Sequence, residues 1–222
     1  PVGGHAPHAA GVALAFRLRG EPRCAVCVLG DGATSKGDVA EALVFAGLWR
    51  LPLVMVVSNN QWAISVPRAR QTAAATLAQK AIAAGVEGEQ VDGNDVIAVR
   101  SAVAEALERA RGGGGPRLIE ALTYGLCDHT TADDASRYRD DAAVSAHWPE
   151  EPLLRLRAHL TAAGAWSKQE EEALLDACRE EAEREAAAWL ATPPQPDATI
   201  FAHTYATMPE ELRRQAAEAA TP

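Results

Sequence analysis

The sequence predicts an α/β fold, a doubly wound and mainly parallel sheet with a C-terminal helical extension. Two valine-rich apolar runs, Cys24 to Leu29 and Leu53 to Val57, do not alternate, as suits strands buried on both faces of a parallel sheet. A helical pattern over Val39 to Leu48 lies between them, so the three make one right-handed βαβ unit. From Glu151 onward the pattern changes to helices. The expected organisation is an α/β domain over 1–150, with C-terminal helices and a tail over 151–222 packed on that domain or on a partner subunit.

Each element has its own signal. An alanine-rich helix runs from about Pro7 to Leu18, its small residues permitting close approach to a neighbour. Gly20 to Arg23 turns into the first strand, which breaks at Gly30-Asp31-Gly32. Ser35 to Asp38 opens the crossover helix, with Asp38 placed favourably for the helix dipole. The second strand ends at Asn59-Asn60, and a polar loop from Arg68 to Thr76 leads to a short helix, Leu77 to Ala84, stopped by Gly85. Gln90 to Asp92 reads as a short strand, and Gly93-Asn94-Asp95 caps a helix from Val96 to Arg111 with an apolar stripe. Gly112 to Pro116 reads as a flexible loop; no Lys-Ser/Thr follows to make it a phosphate loop. Leu118 to Thr123 is a third buried strand, followed by a long polar loop, Tyr124 to Arg139, placed where functional loops occur. Pro152 to Ala163 is amphipathic and Ser167 with Glu170 forms a capping box. The helix that follows, to about Leu190, is strongly acidic, and Thr192 to Pro196 is a linker.

Composition narrows the function classes. A formal charge of −9 and a pI near 5.2 argue against a nucleic-acid surface. No apolar run approaches a membrane span, and no secretory or transit segment is read. Cys24 and Cys27 read as C-x-x-C, but they lie within an apolar strand and no second pair completes a zinc site. They read instead as buried thiols of a reducing compartment, which fits the cytoplasm.

The chemistry concentrates at the strand ends. In open α/β sheets ligands bind along the carboxyl edge, so Asp31 and Asn60 are expected side by side. A carboxylate and a neutral oxygen make half a cage for Mg²⁺, which takes one or two carboxylates with phosphate oxygens and water. Gly32 and Ala33 allow a phosphate close to their N–H groups, beside the N-terminus of the crossover helix. The alternative is plain: GDG is a tight turn and NN a polar strand end. His129 in the polar loop could exchange protons near neutral pH, although a loop histidine is by itself ordinary. His5 and His8 read as ordinary polar residues.

GDGATSKGD and NNQWAISVP resemble the thiamine-diphosphate motif of the alpha subunit of 2-oxoacid dehydrogenase decarboxylase components. The likeness is nearest to the bacterial pyruvate dehydrogenase type, with the branched-chain 2-oxoacid enzyme a near relative. It continues through RQTAAATLAQKAIAAG, VDGNDV, GPRLIEALTY, DHTTADDASRYR and MPEELRRQ. It implies the thiamine-diphosphate-binding fold, with the N-terminal part of the family domain, which bears a tyrosine–arginine pair for the diphosphate, missing from this chain. It implies cofactor contacts at Gly30, Gly32, Ala33, Asn60 and His129. Mg²⁺ would be held by Asp31, Asn60 and the main-chain carbonyl of Trp62. His129 would touch the cofactor and assist acyl transfer to a lipoyl group.

The implied activity is oxidative decarboxylation of a small 2-oxoacid, with the acyl group passed to the lipoyl domain of an acyltransferase core. Because the glutamate that activates the cofactor comes from the family's beta subunit, the chain is expected to be inactive alone and to form an α2β2 heterotetramer. The apolar residues Ile200, Phe201, Tyr205 and Met208 would dock on that partner. Branched-chain 2-oxoacid and acetoin dehydrogenases are the other readings within the enzyme class. A truncated, non-catalytic protein that keeps the cofactor fold and only assembles with partners is the reading outside it.

Overall fold

A computed structural model describes residues 2–220. It divides into two compact units, Pro1–Ala165 and Trp166–Pro222.

The first unit is organised by four parallel strands: β1 (Ala25–Gly30), β2 (Leu53–Asn59), β5 (Glu87–Asp92) and β6 (Arg117–Leu122), ordered β1-β2-β6-β5. A two-stranded antiparallel hairpin, β3 (Trp62–Ala63) with β4 (Val66–Pro67), follows β2. Helix α1 (His5–Leu18) precedes β1, α2 (Gly37–Leu48) crosses from β1 to β2, and α3 (Val96–Arg111) crosses from β5 to β6. Helices α4 (Asp141–His147) and α5 (Pro152–Ala162) complete the unit. Register aligns the carboxyl ends: Gly30 stands opposite Ser58, and both Asn59 and Asp92 stand opposite Leu122.

The sheet is covered on two sides, and the alternation of β2 shows it. Leu53, Met55 and Val57 join Cys27, Leu29, Leu43 and the alanines of α1 and α2 in one cluster. Val54 and Ile119 join Ala106 and Ala110 of α3 in the other. Ala6, Ala10 and Ala13 are buried where α1 packs on α2, the close approach that small residues permit. Helix α3 starts where expected because the Asp95 carboxylate accepts from the backbone N–H groups of Ile97 and Ala98.

Several expectations are corrected. Strand β1 is not buried on both faces: it alternates, with Val26 48% and Val28 60% exposed. It lies at the edge of the sheet, and the layer with α3 reaches β2, β5 and β6 instead. The short helix expected after Leu77 is present, of the 3₁₀ type over Ala78–Ala84, and ends at Gly85 in the left-handed conformation. The glycine run is no free loop but the cap of α3: Gly112, Gly113 and Gly114 donate to the carbonyls of Glu108, Ala110 and Arg109. Gly113 (φ 81°) and Gly115 (φ 92°) supply the backbone that other residues resist, and the Arg50 guanidinium donates to the Gly113 and Gly114 carbonyls. The compact units divide after Ala165, and Arg155 of α5 pairs with Asp92 at the end of β5 (2.8 Å). All four thiols are free, but only Cys27 is fully buried; Cys127 and Cys178 are exposed. Burial pushes the Cys27 thiol above its usual value.

In the second unit, α6 (Lys168–Ala191) begins with the expected capping box of Ser167 and Glu170. The Trp166 indole donates to Glu171 (2.6 Å). Short helices α7 (Thr199–Ala202) and α8 (Glu210–Ala219) follow. None of the three helices buries a residue within the unit, so α6 stands on local capping and charge pairs such as Lys168–Glu172 and Arg179–Asp176. Among the described residues no helix is long and apolar enough to cross a membrane.

A buried carboxylate ties the first unit together near its functional edge. Glu120, in the middle of β6, is 1% exposed. It accepts from the Asn59 side-chain amide (2.6 Å) and from the Ala78 backbone N–H (2.9 Å), joining β6, β2 and the 3₁₀ helix. Glu120→Ala strands both donors and leaves a cavity, and is expected to cost about 3 kcal/mol of stability in urea unfolding. A loss below about 1 kcal/mol contradicts the structural role given to this carboxylate.

Candidate functional site

The break after β1 is a 3₁₀ turn, Asp31–Ser35, at the carboxyl edge of the sheet. The chain must leave the strand there and start α2 within a few residues, and Thr34 latches the turn by donating its hydroxyl to the Asp31 carbonyl (2.7 Å). Lys80 then donates to both the Thr34 hydroxyl and its carbonyl, each at 2.9 Å. Desolvation, and after it the charge of Arg68, lower the Lys80 pKa from its ordinary value. Gly32 is required by a close approach: a Cβ there would stand 2.7 Å from the Ala63 Cβ. The GDG turn and the β3–β4 hairpin are thereby pressed together.

The two asparagines that end β2 do different jobs. Asn59 is 1% exposed and faces inward to Glu120. Asn60 is half-buried, and its Oδ1 accepts from the Trp62 backbone N–H (3.0 Å), which turns the chain into the hairpin. Gln61 (φ 71°) within that turn, and Ile64 (φ 57°) in the turn between β3 and β4, lie in the left-handed region, uncommon for any side chain and costly for a β-branched one. The Trp62 ring lies 5.9 Å from that of Tyr138.

The polar loop after β6 is fastened to this corner. The Gly125 N–H donates to the Asn60 carbonyl (3.1 Å). Arg139, buried, donates to the carbonyls of Gly125 and Cys127. Asp128 accepts from the Ala135 N–H (2.9 Å), and Asp133 accepts from the His129 N–H (3.0 Å) and from the Tyr138 hydroxyl. His129 itself is exposed, and its ring makes no hydrogen bond among the described residues. The tether runs from Gly32 to Ala63 and Trp62, on to Tyr138 and Asp133, and ends at the His129 backbone.

Asp31 is the unusual member of this set. It is 2% exposed, accepts one hydrogen bond from Gln71 (2.6 Å), and has no ion-pair partner among the described residues. A buried carboxylate without a countercharge is costly, so the donor chemistry at this corner fits a hard cation. No group of three His, Cys, Asp or Glu side chains is assembled for a metal among the described residues. The oxygens available are one carboxylate, one amide and main-chain carbonyls, a set suited to a cation that brings phosphate oxygens of its own. A neighbouring cavity of about 1140 Å³ shares Trp62 and Asn59 and extends over the ends of β5 and β6 to Asp92, Tyr124 and Arg155. Gln71, Lys80 and the Asn59–Glu120 clamp were not among the sequence-derived site residues. For Glu120 the available signal was a lone acid inside an apolar strand.

With that geometry in view, the chain is placed by its relatives. Residues 1–196 match the family described as Dehydrogenase E1 component, and the chain belongs to it. It is 51% identical over 172 residues to the 3-methyl-2-oxobutanoate dehydrogenase subunit alpha of Mycobacterium tuberculosis, covering 78% of this chain and 47% of that one. It is 42% identical over 215 residues to the pyruvate dehydrogenase E1 component subunit alpha of Bacillus subtilis, covering 96% and 58%. The chain thus spans about half the length of these curated relatives.

The Asp133 contacts give a signed pH dependence. The Tyr138 hydroxyl, then the His129 N–H, hold its carboxyl below the ordinary value of 3.8. A depressed folded pKa contributes order that is present above the unfolded value and lost as pH falls through the folded one. The His129 amide resonance is therefore expected to shift with a midpoint below 3.8, and not to do so in Asp133→Asn. A midpoint at or above that value contradicts the tether.

Proposed function

We propose that this chain is the cofactor-binding alpha subunit of a thiamine-diphosphate-dependent 2-oxoacid dehydrogenase, acting on pyruvate. The single observation that carries the reading is the buried Asp31 carboxylate, which has no countercharge among the described residues and follows β1 on the sheet edge where Asn60 follows its neighbour β2. Membership of the dehydrogenase E1 family supports it. The 51% identity to the Mycobacterium tuberculosis 3-methyl-2-oxobutanoate enzyme favours a second reading, a branched-chain 2-oxoacid as substrate.

Thiamine diphosphate, when bound, supplies the carbanion chemistry by which a 2-oxoacid loses carbon dioxide. The residues of this chain bind and orient it. Asp31, Asn60 and the Trp62 carbonyl hold Mg²⁺, and the backbone of Gly30, Gly32 and Ala33, at the N-terminal side of α2, approaches the diphosphate. His129 is the proton-carrying group, and it assists passage of the acyl group to a lipoyl domain. The fastened loop sets its backbone, while the ring makes no hydrogen bond among the described residues. A beta subunit completes the site in an α2β2 assembly, and the apolar residues Ile200 and Tyr205, both exposed, belong to the surface that meets it. The cytoplasm is the compartment that the free thiols support.

Calorimetric titration of thiamine diphosphate with Mg²⁺ into this chain plus its cognate beta subunit tests the reading. Metal-dependent binding is expected in the unmutated pair and is expected to fall at least 100-fold in Asp31→Ala, an estimate of order set by the loss of a sole carboxylate ligand. His129→Ala is expected to keep cofactor binding and to lower kcat for acyl transfer by about 100-fold, the usual contribution of a general acid–base group. A folded pair that binds no cofactor overturns the reading.

A further inference from the structure

The strap between the hairpin and the 3₁₀ helix, residues 68–76, has no role in the reading above beyond connecting them. It is nonetheless built: the Arg68 guanidinium donates to the carbonyls of Thr72 (3.3 Å), Ala74 (2.6 Å) and Ala75 (3.1 Å). The Ala75 N–H is held by the Gln79 side chain (3.0 Å). One side chain of the strap, Gln71, turns back to the sheet edge. Its Nε2 donates to Asp31 Oδ2 (2.6 Å) and to the Val66 carbonyl (3.2 Å). Its Oε1 is buried and has no hydrogen-bond partner among the described residues.

We infer that Gln71 is a positioning residue for Asp31, fixing one carboxylate oxygen and presenting the other to the cation; the inference rests on the metal reading of Asp31. The terminal torsion of an aspartate is broad and two-fold, so an unheld carboxylate samples several orientations. Gln71 pins one oxygen by a donor that carries no charge. Lysine or arginine at that place would neutralise the carboxylate and compete with the cation; an amide orients it and leaves its full charge in place. Both donated bonds fix the plane of the amide, and this leaves Oε1 as a buried acceptor that is costly to leave empty. Mg²⁺ keeps several of its waters, and a water on a cation at Asp31 brings the O–H donor that Oε1 lacks.

The test uses Mn²⁺ as probe, with thiamine diphosphate saturating and the beta subunit present, followed by the electron-spin-resonance signal of free Mn²⁺. Gln71→Met keeps the length of the side chain and removes the donor; Gln71→Ala removes both. Both are expected to weaken Mn²⁺ binding by about 10-fold or more, as loss of a partner behind a metal ligand does, with thermal midpoints like that of the unmutated chain. If Gln71→Met binds Mn²⁺ as the unmutated chain does, Gln71 acts by shape and the inference is overturned. It is also overturned if affinity falls only in step with a lowered midpoint. Asp31→Ala separates the two levels. Loss of Mn²⁺ there with full retention in Gln71→Met leaves the metal reading standing and removes the inference. Retention in Asp31→Ala removes both.

Discussion

Parallel pairing of β1 with β2 is the constraint from which the rest of the first unit follows. Two parallel neighbours cannot be joined by a hairpin, so the chain between them must climb back along the sheet, and α2 is that return. Both strands then end on one edge, with Gly30 opposite Ser58. The polar residues after each end, Asp31 after β1 and Asn60 after β2, therefore lie on the same edge of the sheet. The same logic places the loop after β6 on that edge, because β6 lies parallel beside β2.

Polar groups inside this unit are of two kinds. Glu120 is buried and has its donors supplied by Asn59 and Ala78; it is a structural knot whose hydrogen bonds close within the chain. Asp31 is buried to a similar degree, yet it has one neutral donor and no countercharge among the described residues. A closed network rigidifies and an open one invites a ligand. The knot and the turn that ends β2 are adjacent in the chain, since Asn59 bonds Glu120 and the next residue, Asn60, accepts from the Trp62 N–H.

What was legible in the sequence was local. The capping box at Ser167 and the Asp95 cap of α3 need only a few neighbouring residues, and both formed as read. The valine runs announced strands, and the glycines of GDG announced the turn. What was illegible depended on distant partners. Whether Val26 and Val28 are covered depends on which strand becomes the edge, and nothing in the run itself encodes that. Gln71 lies in a loop of ordinary polarity, and its importance comes from Asp31, far away in the chain. The glycine run looked mobile because glycine permits mobility, but Arg50 and the end of α3 bind its carbonyls and N–H groups. His129 was legible as a candidate by residue type, while the device that holds its backbone, Asp133 with Tyr138, was not.

The edge position of β1 also bears on how the chain behaves in concentrated solution. An edge strand whose backbone lacks a neighbour, with valines standing on its open face, is a template for strand addition by another molecule. The His5 ring nitrogen blunts this by lying 2.9 Å from the Val28 carbonyl. The net negative charge keeps molecules apart at long range and at low salt, but screening shortens that reach to roughly 10 Å at 0.1 M salt. Within that range the exposed Val26 and Val28, and the His5 ring that occupies the Val28 carbonyl, set how readily a second copy can add its strand.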